Sequence, residues 1–320
     1  MINDLVPGVS GPQYDADEAR DAVVDAFRID DPDGSRAAAV FRATFDQLYD
    51  GQHTGRFRWD QLNKTEKTHY GTLLEINLRR AFDDVVGDGK LLDYRICGHD
   101  IDCKYSQKMG GWMLPPESFG QLLLVAHADD AGGTWSLGVV RASEENRRRS
   151  ENRDGKTSLN TRGRQQVVWL HYEAELPPNV LLGLDDETLQ AVLKPSSGQG
   201  RVNELLRRVT NVRIGRNTIA TLARQADYMA RLRDNGSGAR TILRKEGYLI
   251  PGEYEAHKRV ARDLGIPVPG PGEVVSVRVV PAGDGDTPVA EIDGRMWRAA
   301  RSGEAAVESA PKLPETRRRP

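Results

Sequence analysis

The chain has 320 residues, a formal net charge of −2, 38% hydrophobic residues and 29% charged residues. This length is enough for two domains with separate cores, and no apolar run approaches the roughly 18 residues that a membrane span needs. The two cysteines, Cys97 and Cys103, lack zinc-ligand spacing, and the first residues do not resemble a signal peptide. We therefore expect a cytoplasmic protein that has no membrane partner.

The first half of the chain is predicted to contain helices followed by strands. After an acidic arm, the helical period is clearest in residues 66–82, where Leu74, Leu78 and Phe82 recur every four residues. The other predictions for this half are helices over 17–27 and 35–48, strands over 92–96 and 101–105 joined by a turn, and strands over 122–126 and 134–140.

A polar stretch over residues 144–165 follows and contains Arg147-Arg148-Arg149. It has few residues able to form a core, so we predict an extended loop near or on a nucleic acid. A short strand over 167–172 then leads to Pro177-Pro178, which stops regular structure. The predicted organisation is a first domain over 1–168, a linker over 169–179 and a second domain over 180–320.

The second domain is predicted to begin with helices and to end with strands. Asn235-Gly236 forms a tight turn before a helix over 237–246, which ends at Gly247. Two short helices joined by such a turn are typical of a helix-turn-helix. The other predictions are helices over 185–193, 201–209, 218–225 and 228–234, a two-stranded wing over 274–280 and 289–297, and a disordered tail over the last 18 residues.

The charge is distributed unevenly along the chain. Residues 1–50 carry 11 acids and 4 bases, whereas residues 200–262 carry 14 Lys and Arg against 6 Asp and Glu. A basic segment within a nearly neutral chain favours a polyanionic partner.

Asp93 and the sequence Asp102-Cys103-Lys104 predict a catalytic hairpin. Residues i and i+2 of a strand share one face, so Asp102 and Lys104 lie side by side, and the neighbouring strand brings Asp93. Glu75, beside Leu74 on the amphipathic helix, completes a ring of three carboxylates and one ammonium if it points at the hairpin. Asp93 and Asp102 then bind Mg²⁺, Glu75 holds a second metal or a metal-bound water, and Lys104 orients the attacking water or neutralises charge on the phosphate. This is the minimal equipment for metal-assisted cleavage of a phosphodiester.

Simpler interpretations of the same residues stay open at this point. Asp102 and Lys104 can form a surface ion pair that contributes little. Glu75 can pair with Arg79 at i+4 on the helix surface.

The predicted helix over 237–246 supplies candidate DNA contacts. Ser237, Arg240, Thr241 and Arg244 share one face by their i, i+3, i+4, i+7 spacing, and Lys245 is adjacent. An arginine in that position reads a guanine edge with two hydrogen bonds. The alternative is a solvated, arginine-rich helix face.

Leu48-Tyr49-Asp50-Gly51 resembles the K-Y-D-G core of DNA ligases, with Leu48 in place of the nucleophilic lysine. Without an amine no phosphoramide forms, which argues against ligation.

Taken together, the chain closely resembles the NaeI family of type IIE restriction endonucleases. Three stretches carry the resemblance: residues 44–58 with the ligase-like segment, residues 65–82 with Glu75, and residues 92–107 with Asp93 and Asp102-Cys103-Lys104. The similarity extends nearly from end to end. The family's catalytic acids and lysine map onto Glu75, Asp93, Asp102 and Lys104.

The resemblance implies an α/β (α+β) endonuclease domain of the restriction-enzyme and MutH type. A mainly α, winged helix-turn-helix domain like that of the catabolite activator protein is expected to follow. The resemblance further implies a Mg²⁺-dependent homodimer that cuts double-stranded DNA at GCCGGC and binds a second DNA copy as effector. A cognate DNA methyltransferase, not bound directly, belongs to such a system. We expect Ser106, Gln107 and Lys108, just past the catalytic strand, to contact the cleaved copy.

Two alternatives compete with this hypothesis. A transcription regulator without enzymatic activity explains the helix-turn-helix but leaves three carboxylates and a lysine without a task. A DNA-nicking repair enzyme of the MutH type uses the same chemistry but stops at nicked circles.

Overall fold

A computed structural model describes residues 14–234 and 236–315. The chain divides into two compact units. Unit 1 extends to Leu48 and continues from Arg58 to Pro178, and unit 2 comprises Tyr49–Phe57 and the chain from Asn179 onward. No helix within the described ranges is long and apolar enough to cross a membrane. The arm expected before residue 14 lies outside the described residues.

The helices and strands follow one another in a mixed order. The α-helices are α1 (Glu18–Asp30), α2 (Ser35–Tyr49), α3 (Gly51–Thr54), α4 (Lys64–Ala81), α5 (Thr161–Gln165), α6 (Asp186–Leu193), α7 (Gly198–Arg208), α8 (Arg216–Ala223), α9 (Ala239–Arg244) and α10 (Glu255–Asp263). The strands are β1 (Gly87–Asp88), β2 (Tyr94–Ile96), β3 (His99–Tyr105), β4 (Met113–Leu114), β5 (Leu122–Asp129), β6 (Thr134–Arg141), β7 (Thr157–Ser158), β8 (Val168–Glu175), β9 (Arg213–Gly215), β10 (Tyr248–Leu249), β11 (Glu273–Val275), β12 (Val277–Pro281), β13 (Ala290–Ile292) and β14 (Arg295–Ala299).

Unit 1 is built on a six-stranded mixed sheet in the order β1-β2-β3-β5-β6-β8. Strands β3 and β5 are parallel, and the other neighbours are antiparallel. Strand β5 is a nearly continuous apolar run because it is buried in the middle of the sheet. This mixed α/β architecture is consistent with a restriction-endonuclease-like fold.

Helix α4 is held against the sheet by its apolar stripe. A capping box starts it, in which the Glu66 carboxylate accepts a hydrogen bond of 2.8 Å from the Asn63 backbone N–H. Tyr70, buried in this helix, packs its ring on Tyr105 of β3 with centroids 4.4 Å apart. Helix α4 therefore lies on the face of β3 that carries the odd-numbered side chains, and Asp102 and Lys104 belong to the other face.

The described part of unit 2 contains two apolar cores. One joins α6, α7, α8 and α9, and the other joins α10 to a four-stranded sheet in the order β10-β12-β14-β13. Strands β9 and β11 form a separate antiparallel pair.

Several predictions about elements need correction. The predicted strand over 167–172 is present as β8, which pairs with β6 and continues to Glu175, so it occupies the first part of the predicted linker over 169–179. Leu176 beyond it is buried, and Pro177-Pro178 follow directly. The predicted extended loop over 144–165 contains β7 and α5.

The predicted wing is also paired differently. Strand β14 forms its hairpin with β13, and its other edge pairs with β12. Asp293 and Gly294 both have positive φ, 52° and 72°, which suits a tight two-residue hairpin turn and explains this pairing.

The last predicted helix and the tail differ as well. Helix α9 has six residues, Ala239–Arg244, rather than the predicted 237–246. The tail is not disordered throughout, because Ala310 is buried in the second core of unit 2 and its N–H donates to the Arg244 carbonyl at 2.8 Å. Residues 316–320 lie outside the described range.

Candidate active site

Three of the four predicted catalytic side chains lie in direct contact on the β2–β3 hairpin. Lys104 Nζ lies 2.5 Å from Asp102 Oδ1 and 3.8 Å from Asp93 Oδ2. Asp93 Oδ2 also accepts a hydrogen bond of 2.8 Å from the backbone N–H of Cys103, which ties the residue before β2 to the middle of β3. The structure therefore brings these three groups together, and their catalytic role stays a prediction.

The fourth predicted catalytic residue, Glu75, interacts electrostatically with the same site. Its backbone carbonyl accepts a hydrogen bond of 2.7 Å from the Tyr94 hydroxyl, so α4 and β2 are joined at this residue. Burial raises the pKa of the Glu75 carboxyl, the negative charge of Asp93 raises it further, and the Lys104 ammonium lowers it. The Glu75 carboxyl therefore lies within electrostatic range of Asp93 and Lys104. Arg79, its alternative partner on the helix surface, pairs with Asp88 instead at 2.9 Å.

Asp102 is the least solvated member of the site. It is 3% exposed, and among the described residues its Oδ2 atom has no hydrogen-bond partner. Burial raises the pKa of Asp102 to about 7; the Lys104 ammonium works against this rise, and Asp93 adds to it. Burial alone would lower the pKa of Lys104, but Asp102 and Asp93 raise it, so the lysine stays charged. The cluster therefore holds more negative than positive charge in a poorly hydrated place.

These donor atoms fit a hard divalent cation. Carboxylate oxygens are the ligands that such cations take, and the unpartnered oxygen of Asp102 leaves one coordination position already desolvated. Within residues 14–234 and 236–315, no group of three or more His, Cys, Asp and Glu side chains is close enough to form a complete metal site. Any cation here would need waters or a substrate oxygen among its ligands.

The segment after the catalytic strand is held by a residue that sequence reasoning did not single out for this task. Ser106 ends the ladder between β3 and β5, since its N–H donates to the Ala126 carbonyl at 3.1 Å. His127 Nδ1 lies 2.9 Å from the Ser106 carbonyl oxygen, so the imidazole takes the place of the next ladder hydrogen bond. Gln107 and Lys108 are exposed beyond this point. A histidine late in the strand parallel to β3 was the available signal.

The candidate DNA contacts of unit 2 do not share one exposed face. Ser237 and Lys245 are exposed. Arg240 is turned inward, with Nε donating to the Ile250 carbonyl at 2.9 Å, and Thr241 donates its hydroxyl hydrogen to Asp234 at 2.6 Å. Arg244 is partly buried. The role of these five residues at DNA stays a prediction.

The ligase-like segment is largely buried and does not form an open binding site. Leu48 and Tyr49 are 7% and 2% exposed at the end of α2. Asp50 then takes a left-handed conformation with φ 47°, and Gly51 is buried. A Cβ atom on Gly51 would lie 2.1 Å from Thr221 Oγ1 of α8, so only glycine fits there.

Comparisons with known proteins assign the chain to a family. The family model "Restriction endonuclease NaeI" matches residues 21–308. The type II restriction enzyme NaeI of Lentzea aerocolonigenes is 49% identical over 292 residues, which cover 89% of this chain and 90% of that protein. The chain therefore belongs to the NaeI family of restriction endonucleases, which are site-specific deoxyribonucleases.

Proposed function

We propose that this chain is a Mg²⁺-dependent type IIE restriction endonuclease that hydrolyses both strands of DNA at a specific site. The observation that carries the proposal is the contact of Lys104 with Asp102 and Asp93, beside a buried Asp102 oxygen that has no partner among the described residues. Type II restriction endonucleases generally use a divalent metal, and this carboxylate set suits one.

The chain's own residues have distinct tasks in this proposal. Asp93 and Asp102 would hold the cation, and Glu75 would hold a second cation or a water bound to the first; the cation when bound neutralises charge at the scissile phosphate and favours ionisation of a water. Lys104 carries a positive charge at neutral pH because its two carboxylate neighbours raise its pKa. Its ammonium orients the attacking water, or donates to a phosphate oxygen where negative charge develops. Burial of Asp102 excludes bulk water, which strengthens these interactions.

The finer assignments follow from the family rather than from the site. We infer a homodimer that acts in the cytoplasm and cuts GCCGGC, with a cognate methyltransferase that protects the same sequence and is not bound directly. A second DNA copy would bind the unit 2 region, which we interpret as a winged helix-turn-helix whose second helix is α9; its predicted first helix, over 228–234, is a short 3-10 helix at Tyr228–Arg231. Exposed Ser237 and Lys245 support that interpretation. The division into an endonuclease domain and a second, DNA-binding domain from residue 180 onward belongs to the same proposal.

The test is cleavage of supercoiled plasmid by the full chain. With Mg²⁺ we expect linear product whose ends map to GCCGGC, and with EDTA we expect none. Nicked circles that go no further would favour a MutH-type nickase, and binding without any cleavage would favour a transcription regulator. Plasmids with two sites should be cut faster than plasmids with one, and equal rates would argue against an effector copy.

A further inference from the structure

The polar segment 144–165 of unit 1, called here the arginine arm, has no task in the chemistry described above. We propose that it binds the sugar–phosphate backbone of the DNA copy that is cut. This inference rests on the proposed nuclease function and adds a substrate-binding surface to it.

The charge of the arm is the first observation. It carries seven Lys and Arg against four Asp and Glu. Arg148, Arg149, Arg153 and Lys156 are exposed, and none of these four forms an ion pair with a carboxylate of the described ranges. Structural arginines elsewhere in unit 1 behave differently, as Arg141 does with Asp17 at 2.6 Å. Exposed cations without carboxylate partners are free to meet phosphates.

The arm is ordered by its own polar side chains. Asn160 Nδ2 donates to the carbonyls of Glu145 and Arg147 at 2.7 and 3.1 Å. Asn152 Oδ1 accepts from the N–H groups of Asp154 and Lys156, both at 2.9 Å. The free cations therefore sit on a hydrogen-bonded scaffold, and ordering them at DNA costs little backbone entropy.

One arginine of the arm is used as an anchor. The Arg147 guanidinium lies over the Phe119 ring, with Cζ 4.1 Å from its centroid. This cation–π contact fixes the base of the arm to the unit and leaves the next two arginines outside.

The arm is built on the same face of the sheet as the catalytic pair. Asp102 and Lys104 are the direct partners of Leu123 and Val125 across the parallel β3–β5 ladder, so all four share one face. Leu123 and Val125 pack in one apolar core with Leu159 of the arm. A duplex whose phosphate reaches Lys104 therefore approaches the face on which the arm stands.

The arm is also attached to the chain that leaves the catalytic strand. Met113 and Leu114 of β4 pair with Ser158 and Thr157 of β7. Gly110 has a positive φ of 76°, and a Cβ atom there would lie 2.8 Å from Arg164 Cδ, so the arm packs closely over this segment. If the arm moves when DNA binds, residues 106–111 should therefore change position with it.

The experiment compares Arg148→Gln, Arg149→Gln and the double variant with wild-type protein, all as full chains. Arg28→Gln is the matched control, because Arg28 is an exposed arginine on α1. Phe27 of α1 packs on Phe82, directly after α4, with ring centroids 5.3 Å apart, so α1 lies across the sheet from the arm. Two readouts are needed: the salt dependence of binding to a GCCGGC duplex in EDTA, and single-turnover cleavage in Mg²⁺ over a range of protein concentrations. Thermal melting checks that all variants are folded.

The double variant should reduce the slope of log affinity against log salt by about 2, since each lost phosphate contact removes about 0.9. Its half-saturating concentration for cleavage should rise roughly tenfold, with the saturated rate changed less than about twofold, because backbone contacts position DNA without acting on the reacting atoms. Arg28→Gln should match wild type in both readouts.

Two results would overturn the assignment of the arm. In the first, the double variant has the same slope of log affinity against log salt and the same half-saturating concentration as the Arg28→Gln control. In the second, the double variant has a lower saturated cleavage rate but an unchanged half-saturating concentration. Failure of the wild-type protein to cut any duplex would refute the nuclease proposal instead, so the two failures are distinguishable.

Discussion

Replacement of Asp102 by Asn should stabilise the protein above pH 7 when no divalent cation is present. Asp102 is 3% exposed, and burial raises the pKa of its carboxyl from 3.8 to about 7. Between pH 3.8 and about pH 7, Asp102 is therefore protonated in the folded state but ionised in the unfolded state. Stability falls as pH rises through this window and stays low above it.

The size of the effect follows from that pKa change. At about 1.4 kcal/mol per pH unit, the rise corresponds to about 4 kcal/mol of lost stability. Asn keeps the shape of the side chain and still accepts a hydrogen bond from Lys104, but it weakens the attraction to that ammonium. We therefore expect a gain of about 2–4 kcal/mol at pH 8.5, shrinking toward zero below pH 4.

The assay is urea unfolding in EDTA at pH 5 and pH 8.5, followed by tryptophan fluorescence. Four of the five tryptophans lie in unit 1, so the signal reports mainly on the unit that contains the substitution. Asp100→Asn is the control, because Asp100 on the same strand pairs with Arg95 at 3.4 Å and its loss should not stabilise the fold. A free energy of unfolding at pH 8.5 that drops by more than about 1 kcal/mol in Asp102→Asn would refute the reasoning.

Three further predictions concern single residues. Lys104→Gln should slow single-turnover DNA cleavage by about 10²–10⁴-fold with duplex affinity nearly unchanged, and parallel loss of both would indicate misfolding. Gly51→Ala should lower the free energy of unfolding of unit 2 by about 1–3 kcal/mol, because the new Cβ would lie 2.1 Å from Thr221 Oγ1; a further Thr221→Ala change should recover part of it, and no loss would contradict the packing. Burial and the charge of Arg240 lower the pKa of His257 to about 4. The folded state thus resists protonation, which should cost about 3 kcal/mol of stability as pH falls from 6.5 to 4, against the opposite change that Asp102 contributes in the same range. In urea titrations over these pH values, the stability of His257→Gln relative to wild type should rise by about 3 kcal/mol, and an equal pH dependence of the two proteins would contradict the prediction.

The sequence predicted those parts of the fold in which side-chain periodicity is strong. Helix α4 was expected over 66–82 and is observed as Lys64–Ala81, because its apolar stripe packs on β3. The hairpin of β2 and β3 was expected from alternation and turn chemistry, and Asp93, Asp102 and Lys104 meet there. Local pattern was sufficient in both places, since the residues that interact are close in sequence.

Long-range packing was not predictable in the same way. The assignment of Tyr49–Phe57 to unit 2 has no periodic signal in the sequence, because α3 has only four residues and depends on Gly51 fitting against Thr221. The burial of Ala310 depends on a hydrogen bond to Arg244, 66 positions earlier in the chain. The inward turn of Arg240 likewise depends on a carbonyl from the following strand connection. Contacts between residues so far apart in sequence produce no pattern at the spacing of a helix or a strand.

Binding and single-turnover cleavage of one GCCGGC duplex by wild-type protein and Asp102→Asn would test the central claim most directly. If Asp102, Asp93, Lys104 and Glu75 form the catalytic site, the variant should bind the duplex within about threefold of wild type and cut it at least about a thousandfold more slowly in Mg²⁺. Cleavage within about tenfold of wild type would contradict the account, as would a loss of cleavage fully explained by lost binding.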